Sequence, residues 1–167
     1  YNTNDSIKFL VDNTELFFIP CVNVDGYKYN ETTNPSGGGT WRKNRKNNGG
    51  SYGVDINRNY SYQWSPESAN TPSSDTYGGT AAFSETETQL MREFCLAHKF
   101  EYSISYHCYS NLMVHPWSYT DNSTEYQTPD HAYFQTAGGL LTAENNYSVG
   151  TCYALIGYIV NGGSSDW

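Results

Sequence analysis

A short polar cluster, Asn57-Arg58-Asn59, follows the apolar residues Val54 and Ile56 and holds side chains suited to binding an anion. The planar guanidinium of Arg58 can donate two parallel hydrogen bonds to a carboxylate, and the amide of Asn57 can add an orienting donor. Clusters of this composition are also common in surface loops, because Asn favours turns. The cluster therefore indicates either a carboxylate-binding site or a turn-rich loop.

Among the four histidines, His107 is the best candidate for a metal ligand. It follows residues 102–106, whose alternation predicts a strand, and ligands of α/β proteins bind at the carboxyl ends of strands. A histidine in such a place can equally be structural. His98 and Glu101 match HxxE metal-site spacing, but the pair straddles a predicted helix end and strand start, so we interpret this match as accidental.

Other catalytic signatures do not occur: there is no HExxH, no GxSxG and no phosphate-binding glycine loop. Four widely spaced cysteines contain no CxxC pair, which argues against a zinc knuckle and a dense disulfide framework. Cys21 and Cys95 lie in apolar patterns and are expected to be small core residues. Spacing alone leaves one candidate metal ligand and one carboxylate-binding arginine.

The composition limits the possible partners. Nine Lys and Arg against 17 Asp and Glu give the 167-residue chain a net charge of −8. Nucleic acid is therefore excluded as an expected partner, since phosphate binding needs a basic surface. No apolar run approaches the roughly 18 to 20 residues of a membrane span. The Tyr-, Asn-, Ser- and Gly-rich, Lys-poor balance is typical of a secreted protein, and the length predicts one domain, which we expect to be monomeric.

Three segments have helical patterns. Apolar spacing predicts helices over residues 6–13 and 130–144. Ser84 and Glu87 form a predicted capping box that starts a third helix, which should run to about His98. The buried face of this helix should consist of Leu90, Met91, Phe94 and Cys95.

Strand-like segments alternate with these helices and predict an α/β fold. The apolar run 15–22 and the alternating run 102–106 are the clearest strands. Residues 23–27 predict a turn after the first of them. Residues 34–50 predict a long loop that carries the only basic cluster of the chain, Trp41-Arg-Lys-Asn-Arg-Lys46.

Taken together, the motifs of this chain closely resemble those of the zinc metallocarboxypeptidases, in particular the branch of the pancreatic A and B enzymes. Six segments occur in that family's order: Ile19-Pro-Cys-Val-Asn-Val-Asp-Gly-Tyr27, Trp41-Arg-Lys-Asn-Arg45, Gly53-Val-Asp-Ile-Asn-Arg-Asn59, Tyr77-Gly-Gly-Thr-Ala-Ala-Phe-Ser-Glu85, Ser105-Tyr-His-Cys-Tyr-Ser110 and Gly162-Gly-Ser-Ser-Asp-Trp167. The resemblance covers about Phe17 to Trp167. It implies a mixed, mostly parallel central sheet flanked by helices and incomplete at both ends, so that residues 1–167 form one partial catalytic domain.

The resemblance also implies a role for individual residues. His107 corresponds to the third ligand of a catalytic zinc ion. Arg42 corresponds to the arginine that polarises the scissile carbonyl and stabilises the developing oxyanion. Asn57 and Arg58 correspond to the pair that grips the free C-terminal carboxylate of the substrate, and Tyr158 to a mobile tyrosine that closes over it.

Further positions bear on substrate selection. Tyr109 is implied to line the cleft near the penultimate residue of the substrate. Ser165 corresponds to the wall of the side-chain pocket, where A-type enzymes carry an aliphatic residue and B-type enzymes an aspartate, so serine favours neutral or apolar terminal residues. Cys108 replaces the family's Ser, Thr, Ala or Gly and is small enough to preserve the geometry. The family also implies cis peptide bonds at Cys108-Tyr109 and Pro116-Trp117.

Two parts of the implied machinery lie outside this sequence. The family's first two zinc ligands come from an HxxE segment upstream, and its general-base glutamate lies downstream. Because a catalytic zinc site needs three protein ligands, we expect the 167 residues alone to bind zinc weakly and to be inactive. The complete protein is expected to hydrolyse the last peptide bond of peptides and proteins. The alternative is a non-catalytic carboxypeptidase-like domain that binds peptides or glycans.

Overall fold

The computed structural model describes residues 3–121 and 127–167. Its helices and strands follow one another along the chain with long irregular segments between them. They are α1 (Asp5–Asn13), α2 (Val24–Thr33), α3 (Thr86–Ala97), β1 (Leu112–His115), α4 (His131–Leu141), β2 (Ser148–Thr151) and α5 (Cys152–Ile156). A single 3-10 turn, Ile56–Arg58, lies between α2 and α3.

The two strands form a parallel pair, with Leu112 opposite Ser148 and His115 opposite Thr151. Parallel strands need a crossover connection, and α4 lies in the one that joins β1 to β2. Helix α5 begins at the residue after β2 ends. This helix-flanked parallel pairing confirms the predicted α/β class.

Two predicted strands are wrong. Residues 15–22 and 102–106 have no regular secondary structure. Their apolar side chains are largely exposed, for example that of Phe18 (83%) in the first range and that of Tyr106 (92%) in the second. A strand needs a neighbouring backbone for its hydrogen bonds, and in the described ranges neither run pairs with another. Cys21, expected in the core, is exposed along with its segment, and Cys95 is only half-buried.

The predicted turn at residues 23–27 and the predicted capping box at Ser84 are also wrong. The turn expected at residues 23–27 is the first part of α2, because Asn23 caps the helix and accepts a hydrogen bond from Gly26 N (3.2 Å). Helix α3 begins at Thr86 without a side-chain cap. Ser84 does not cap it, because its hydroxyl donates to Glu85 Oε1 (2.7 Å).

The helices predicted over residues 6–13 and 130–144 are confirmed as α1 and α4, although α4 ends at Leu141. The predicted buried face of α3 is confirmed only in part, because Met91, Phe94 and Cys95 are half-buried whereas Leu90 is exposed. None of the helices in the described ranges is long and apolar enough to cross a bilayer.

The best-buried part of the chain surrounds Asn59, which has no exposed surface. Its amide is a hub for the segments before and within α3. Asn59 Nδ2 donates to Gly78 O (2.8 Å), Ala81 O (2.9 Å) and Ser84 Oγ (3.0 Å), and Oδ1 accepts from Glu85 N (3.2 Å) and Thr88 Oγ1 (2.7 Å). Val54, also fully buried, lies in the same segment. The segment that carries Asn57 and Arg58 is therefore rigidly placed.

Replacing Asn59 with Ala should lower the free energy of unfolding by about 3 kcal/mol, because several buried polar groups would lose their partners. The midpoint of urea unfolding measures this loss. Asn145→Ala is the matched control, since its exposed amide accepts a single hydrogen bond, from Tyr147 N (3.0 Å). Equal midpoints for the two variants would contradict the role of Asn59 as a structural hub.

Candidate functional site

The Asn57 amide is held in one orientation by a distant loop. Its Oδ1 accepts hydrogen bonds from both the backbone N–H and the hydroxyl of Ser164, each at 2.9 Å. The 3-10 turn is itself capped by Asp55, whose Oδ1 accepts from Asn57 N (3.0 Å). Within the described residues Asn57 Nδ2 has no hydrogen-bond partner, so this donor is free to bind a ligand oxygen.

Arg58 follows Asn57 in the chain and is only 9% exposed. Its Nη1 donates to Asn57 O (2.9 Å) and lies 3.7 Å from Asp55 Oδ2. Since Nε and Nη2 make no hydrogen bond to the described residues, one edge of the guanidinium retains paired donors that fit a carboxylate. The structure thus fixes the Arg58 guanidinium against the backbone carbonyl of Asn57, and the side-chain amide of Asn57 against Ser164.

A glycine lets the two halves of this site meet. Gly162 has a φ of +64°, and a Cβ there would lie 2.5 Å from Arg58 O. Any other residue would push the loop of residues 160–167 away from the 3-10 turn. The close approach also allows Tyr60 N to donate to Gly162 O (3.0 Å), and it brings Ser164 within reach of Asn57.

His107 lies within electrostatic range of both candidate arginines. Desolvation lowers the pKa of His107, Arg42 and Arg58 lower it further, and Asp55 raises it. The ring keeps an exposed surface, and its Nε2 lies 3.4 Å from Ser105 Oγ. A lowered pKa favours the neutral imidazole, which is the form that binds metal ions.

Asp55 fits the surroundings of a metal centre. It is 3% exposed, and its Oδ2 has no hydrogen-bond partner in the described ranges, because 3.7 Å to Arg58 Nη1 is too long. Buried polar atoms are normally hydrogen-bonded, and metal-ligating histidines commonly donate their second N–H to a carboxylate. The charge and position of Asp55 and the neutral imidazole of His107 therefore suit a zinc site.

The metal ligands present are nevertheless too few for a closed site. Across residues 3–121 and 127–167, no group of three or more His, Cys, Asp and Glu side chains could hold a metal ion. As a candidate zinc ligand, His107 would need others from outside these ranges, since catalytic zinc takes three protein ligands.

The loop that bears Arg42 is anchored by its neighbours, while the Arg42 side chain is exposed. Lys43 is buried, and its Nζ donates to Pro72 O (3.1 Å) and Ser74 O (2.9 Å). Burial lowers the pKa of Lys43, and the nearby carboxylates Asp75 and Asp55 oppose this effect. The ammonium of Lys43 therefore ties the Arg42 loop to residues 72–74.

Ser165 belongs to a small hydroxyl pair. Its Oγ lies 2.8 Å from Ser118 Oγ. Behind the pair, Asp166 accepts hydrogen bonds from Ser118 N (2.8 Å) and Tyr119 N (3.0 Å). Burial raises the pKa of Asp166, and these backbone donors oppose the rise. The surroundings of Ser165 are thus polar and small, with a buried acid that is already hydrogen-bonded.

The two candidate tyrosines are not brought into contact with this cluster. Tyr109 is 94% exposed and Tyr158 is 49% exposed, and in the described part of the chain neither hydroxyl has a hydrogen-bond partner. Both peptide bonds that the family resemblance implied to be cis, Cys108-Tyr109 and Pro116-Trp117, are cis.

Three residues of the site were not predicted. Asp55 could have been found, because it stands three positions before Arg58 in the same segment. Ser164 is separated from Asn57 by 107 residues, and Ser118 from Ser165 by 47. No spacing rule connects such pairs, so only the folded chain shows that Ser164 orients Asn57 and that Ser118 bonds to Ser165.

Known proteins resemble this chain in sequence and in fold. The family profile described as zinc carboxypeptidase matches residues 1–167. A zinc carboxypeptidase of Simulium vittatum is 34% identical over 172 residues, which cover 98% of this chain and 55% of that protein. Human carboxypeptidase O is 33% identical over 174 residues, which cover 100% of this chain and 45% of that protein. Bovine thrombin-activatable fibrinolysis inhibitor, solved with a tick carboxypeptidase inhibitor, has a TM-score of 0.72 at 31% identity, covering 89% of this chain and 51% of that one.

The chain therefore belongs to the zinc carboxypeptidase family, and its fold is that of the carboxypeptidases. It spans about half the length of the relatives that it matches.

Proposed function

We propose that this chain is the central part of a zinc-dependent carboxypeptidase domain that removes the last residue of peptides and proteins. The observation that carries this proposal is that consecutive residues hold a fixed side-chain amide, that of Asn57, and a buried guanidinium, that of Arg58, which donates to the Asn57 carbonyl. An exopeptidase must recognise a free terminal carboxylate, and these donors can bind both of its oxygens. Family membership supports the same reaction class.

Each remaining residue has a separate task in the proposed mechanism. His107 would hold the zinc ion together with ligands from outside the described ranges. When bound, the zinc ion would polarise the scissile carbonyl and lower the pKa of a water molecule. Arg42 would donate hydrogen bonds to the carbonyl oxygen as negative charge develops on it. Tyr158 would close over the bound carboxylate, and Tyr109 would contact the penultimate residue.

We assign the side-chain pocket to Ser165 and propose that neutral or apolar terminal residues are preferred. The wall at Ser165 presents hydroxyls, and the acid behind it, Asp166, is already engaged by backbone donors. A basic terminal side chain would thus find no free carboxylate there. A kcat/KM for peptides ending in Arg or Lys that exceeds the value for Phe or Leu would contradict this assignment.

We also propose that the protein acts outside the cell as a monomer. The acidic, Lys-poor composition supports secretion, and a substrate clamp formed within one chain needs no second subunit. Sedimentation of a dimer at micromolar concentration, or retention of the protein inside the cells that make it, would contradict these two points.

Removing the metal should abolish hydrolysis by the full-length protein, and adding zinc should restore it. The 167-residue chain alone should hydrolyse nothing under either condition, because its described residues contain a single candidate ligand, His107. Release of the terminal amino acid from a model peptide measures both effects. Turnover by the 167-residue chain after metal is stripped and restored would show that the proposed division of ligands is wrong.

A further inference from the structure

We infer that two asparagines, Asn23 at the N-cap of α2 and Asn30 within this helix, are positioning residues for Arg42. This inference rests on the proposed catalytic role of Arg42 and deepens it, because it names what holds that arginine in place. Both side chains are half-buried, and both bind the backbone of the Arg42 loop through their amides.

Asn30 binds both backbone groups of the residue that precedes Arg42. Its Oδ1 accepts from Trp41 N (3.0 Å), and its Nδ2 donates to Trp41 O (2.7 Å). One side-chain amide therefore replaces the paired hydrogen bonds that a neighbouring strand would supply. Because one planar amide makes both bonds, they fix the orientation of the peptide groups on either side of Trp41.

Asn23 binds the backbone at Arg42 itself and at the residue that follows. Its Nδ2 donates to Arg42 O (2.9 Å) and to Lys43 O (3.1 Å). Its Oδ1 is simultaneously held by Gly26 N at the start of α2 (3.2 Å). The helix cap therefore orients the amide, and the amide in turn orients the two carbonyl groups.

Close contact between α2 and the loop depends on Gly26. A Cβ at this position would lie 2.4 Å from Lys43 O and 2.5 Å from Asn23 Nδ2. Any larger residue would separate the helix from the loop and break the bonds of Asn23. The first turn of α2 thus packs directly against the backbone that carries Arg42.

Aromatic stacking strengthens the same attachment. The guanidinium carbon of Arg45 lies 3.7 Å from the ring centroid of Tyr29 on α2, 4.4 Å from that of Trp41 and 4.7 Å from that of Tyr52. Such cation–π contacts hold the far end of the basic cluster against the helix. The loop is therefore attached to α2 before, at and after Arg42.

This attachment matters because the Arg42 side chain itself is exposed. A free arginine side chain samples many rotamers, and ordering it costs conformational entropy. An oxyanion donor must lie at hydrogen-bond distance from one particular oxygen, and small displacements are costly to the rate. Since the side chain is exposed, the direction of the Arg42 backbone limits where the guanidinium can reach.

A double-mutant cycle in the full-length protein tests this inference. Asn30→Ala should lower kcat about tenfold and leave KM within about twofold, because a displaced Arg42 weakens the transition state more than substrate binding. In an Arg42→Ala background, the same Asn30→Ala change should alter kcat by less than about twofold, since no arginine remains to be positioned. Asn30→Asp, which keeps the acceptor for Trp41 N and loses the donor to Trp41 O, should give an intermediate kcat.

Two measurements separate positioning from loss of structure. Asn145→Ala, which removes the hydrogen bond that the Asn145 side-chain oxygen accepts from Tyr147 N in the α4–β2 connection, should leave kcat unchanged. Urea midpoints should fall equally for Asn30→Ala with and without Arg42. If Asn30→Ala lowers kcat by the same factor in both backgrounds, Asn30 acts on the fold and the inference is overturned. If Arg42→Ala alone leaves kcat unchanged, the proposed role of Arg42 is wrong, and the inference fails for that separate reason.

Discussion

Replacing Arg58 with Ala in the full-length protein should lower kcat/KM for peptide hydrolysis by about a thousandfold. The substitution removes two charge-assisted hydrogen bonds to the terminal carboxylate, each worth about 1.5 to 3 kcal/mol. It also leaves the buried carboxylate of Asp55, 3.7 Å away, without its nearby cation. Steady-state kinetics with a peptide substrate, compared with wild-type protein, measure the effect.

Two further variants keep this prediction interpretable. Arg58→Lys retains the charge but not the planar pair of donors, so it should recover only part of the lost kcat/KM. Arg92→Ala is the matched control, because Arg92 stacks on Phe83 (4.9 Å from guanidinium carbon to ring centroid) and has no place in the proposed clamp. A loss of kcat/KM in Arg92→Ala as large as in Arg58→Ala would show that the effect is structural.

Replacing Arg42 with Ala should lower kcat by about 10² to 10³ and change KM by less than about threefold, because Arg42 is proposed to act when charge develops on the oxyanion. The Arg42 side chain is exposed, so the urea midpoint should stay close to that of the wild-type protein. Measuring kcat and KM separately distinguishes oxyanion stabilisation by Arg42 from substrate binding by Arg42.

The opposite pattern would contradict this assignment. A rise in KM with an unchanged kcat would place Arg42 in substrate binding rather than in oxyanion stabilisation. Arg42→Lys provides the internal comparison, since a point charge on a flexible chain should retain a part of the electrostatic effect without the guanidinium's directed donors.

The sequence motifs named the residues of the candidate site, whereas two of the strands predicted from the sequence are wrong. Motif order identified Arg42, Asn57, Arg58 and His107, and the structure brings both Arg42 and Arg58 within electrostatic range of His107. Such motifs are local, so their residues can be read from one segment at a time. Their roles in catalysis remain predictions that the experiments above test.

The strands predicted over residues 15–22 and 102–106 failed for a physical reason. Apolar content and alternation show that a segment can be a strand, but a strand forms only where another backbone pairs with it. Residues 112–115 and 148–151 are less obvious in the sequence, yet they form the sheet because each pairs with the other. The turn predicted at residues 23–27 failed in a similar way, because Asn23 is suited to both turns and helix caps. In the structure Asn23 caps α2, and its side-chain amide also donates to the backbone of the Arg42 loop.

Hydrogen bonds between residues far apart in the sequence could not be predicted from any sequence pattern. Ser164 orients Asn57, and Asn30 binds Trp41, through single side-chain amides or hydroxyls that have no periodic signature. These contacts depend on the glycines that allow close approach, above all Gly162. The Ser164 contact holds in place the side chain that we propose to bind the substrate carboxylate.

The most direct test of the carboxylate clamp compares two peptides that differ only in a C-terminal carboxylate or carboxamide. For the full-length protein with zinc bound, kcat/KM should be about a thousandfold higher for the free acid, since only the acid can accept both donors of Arg58 and the Asn57 amide. Hydrolysis of the carboxamide peptide as fast as the free acid would contradict the assignment of Asn57 and Arg58, and with it the proposed carboxypeptidase function.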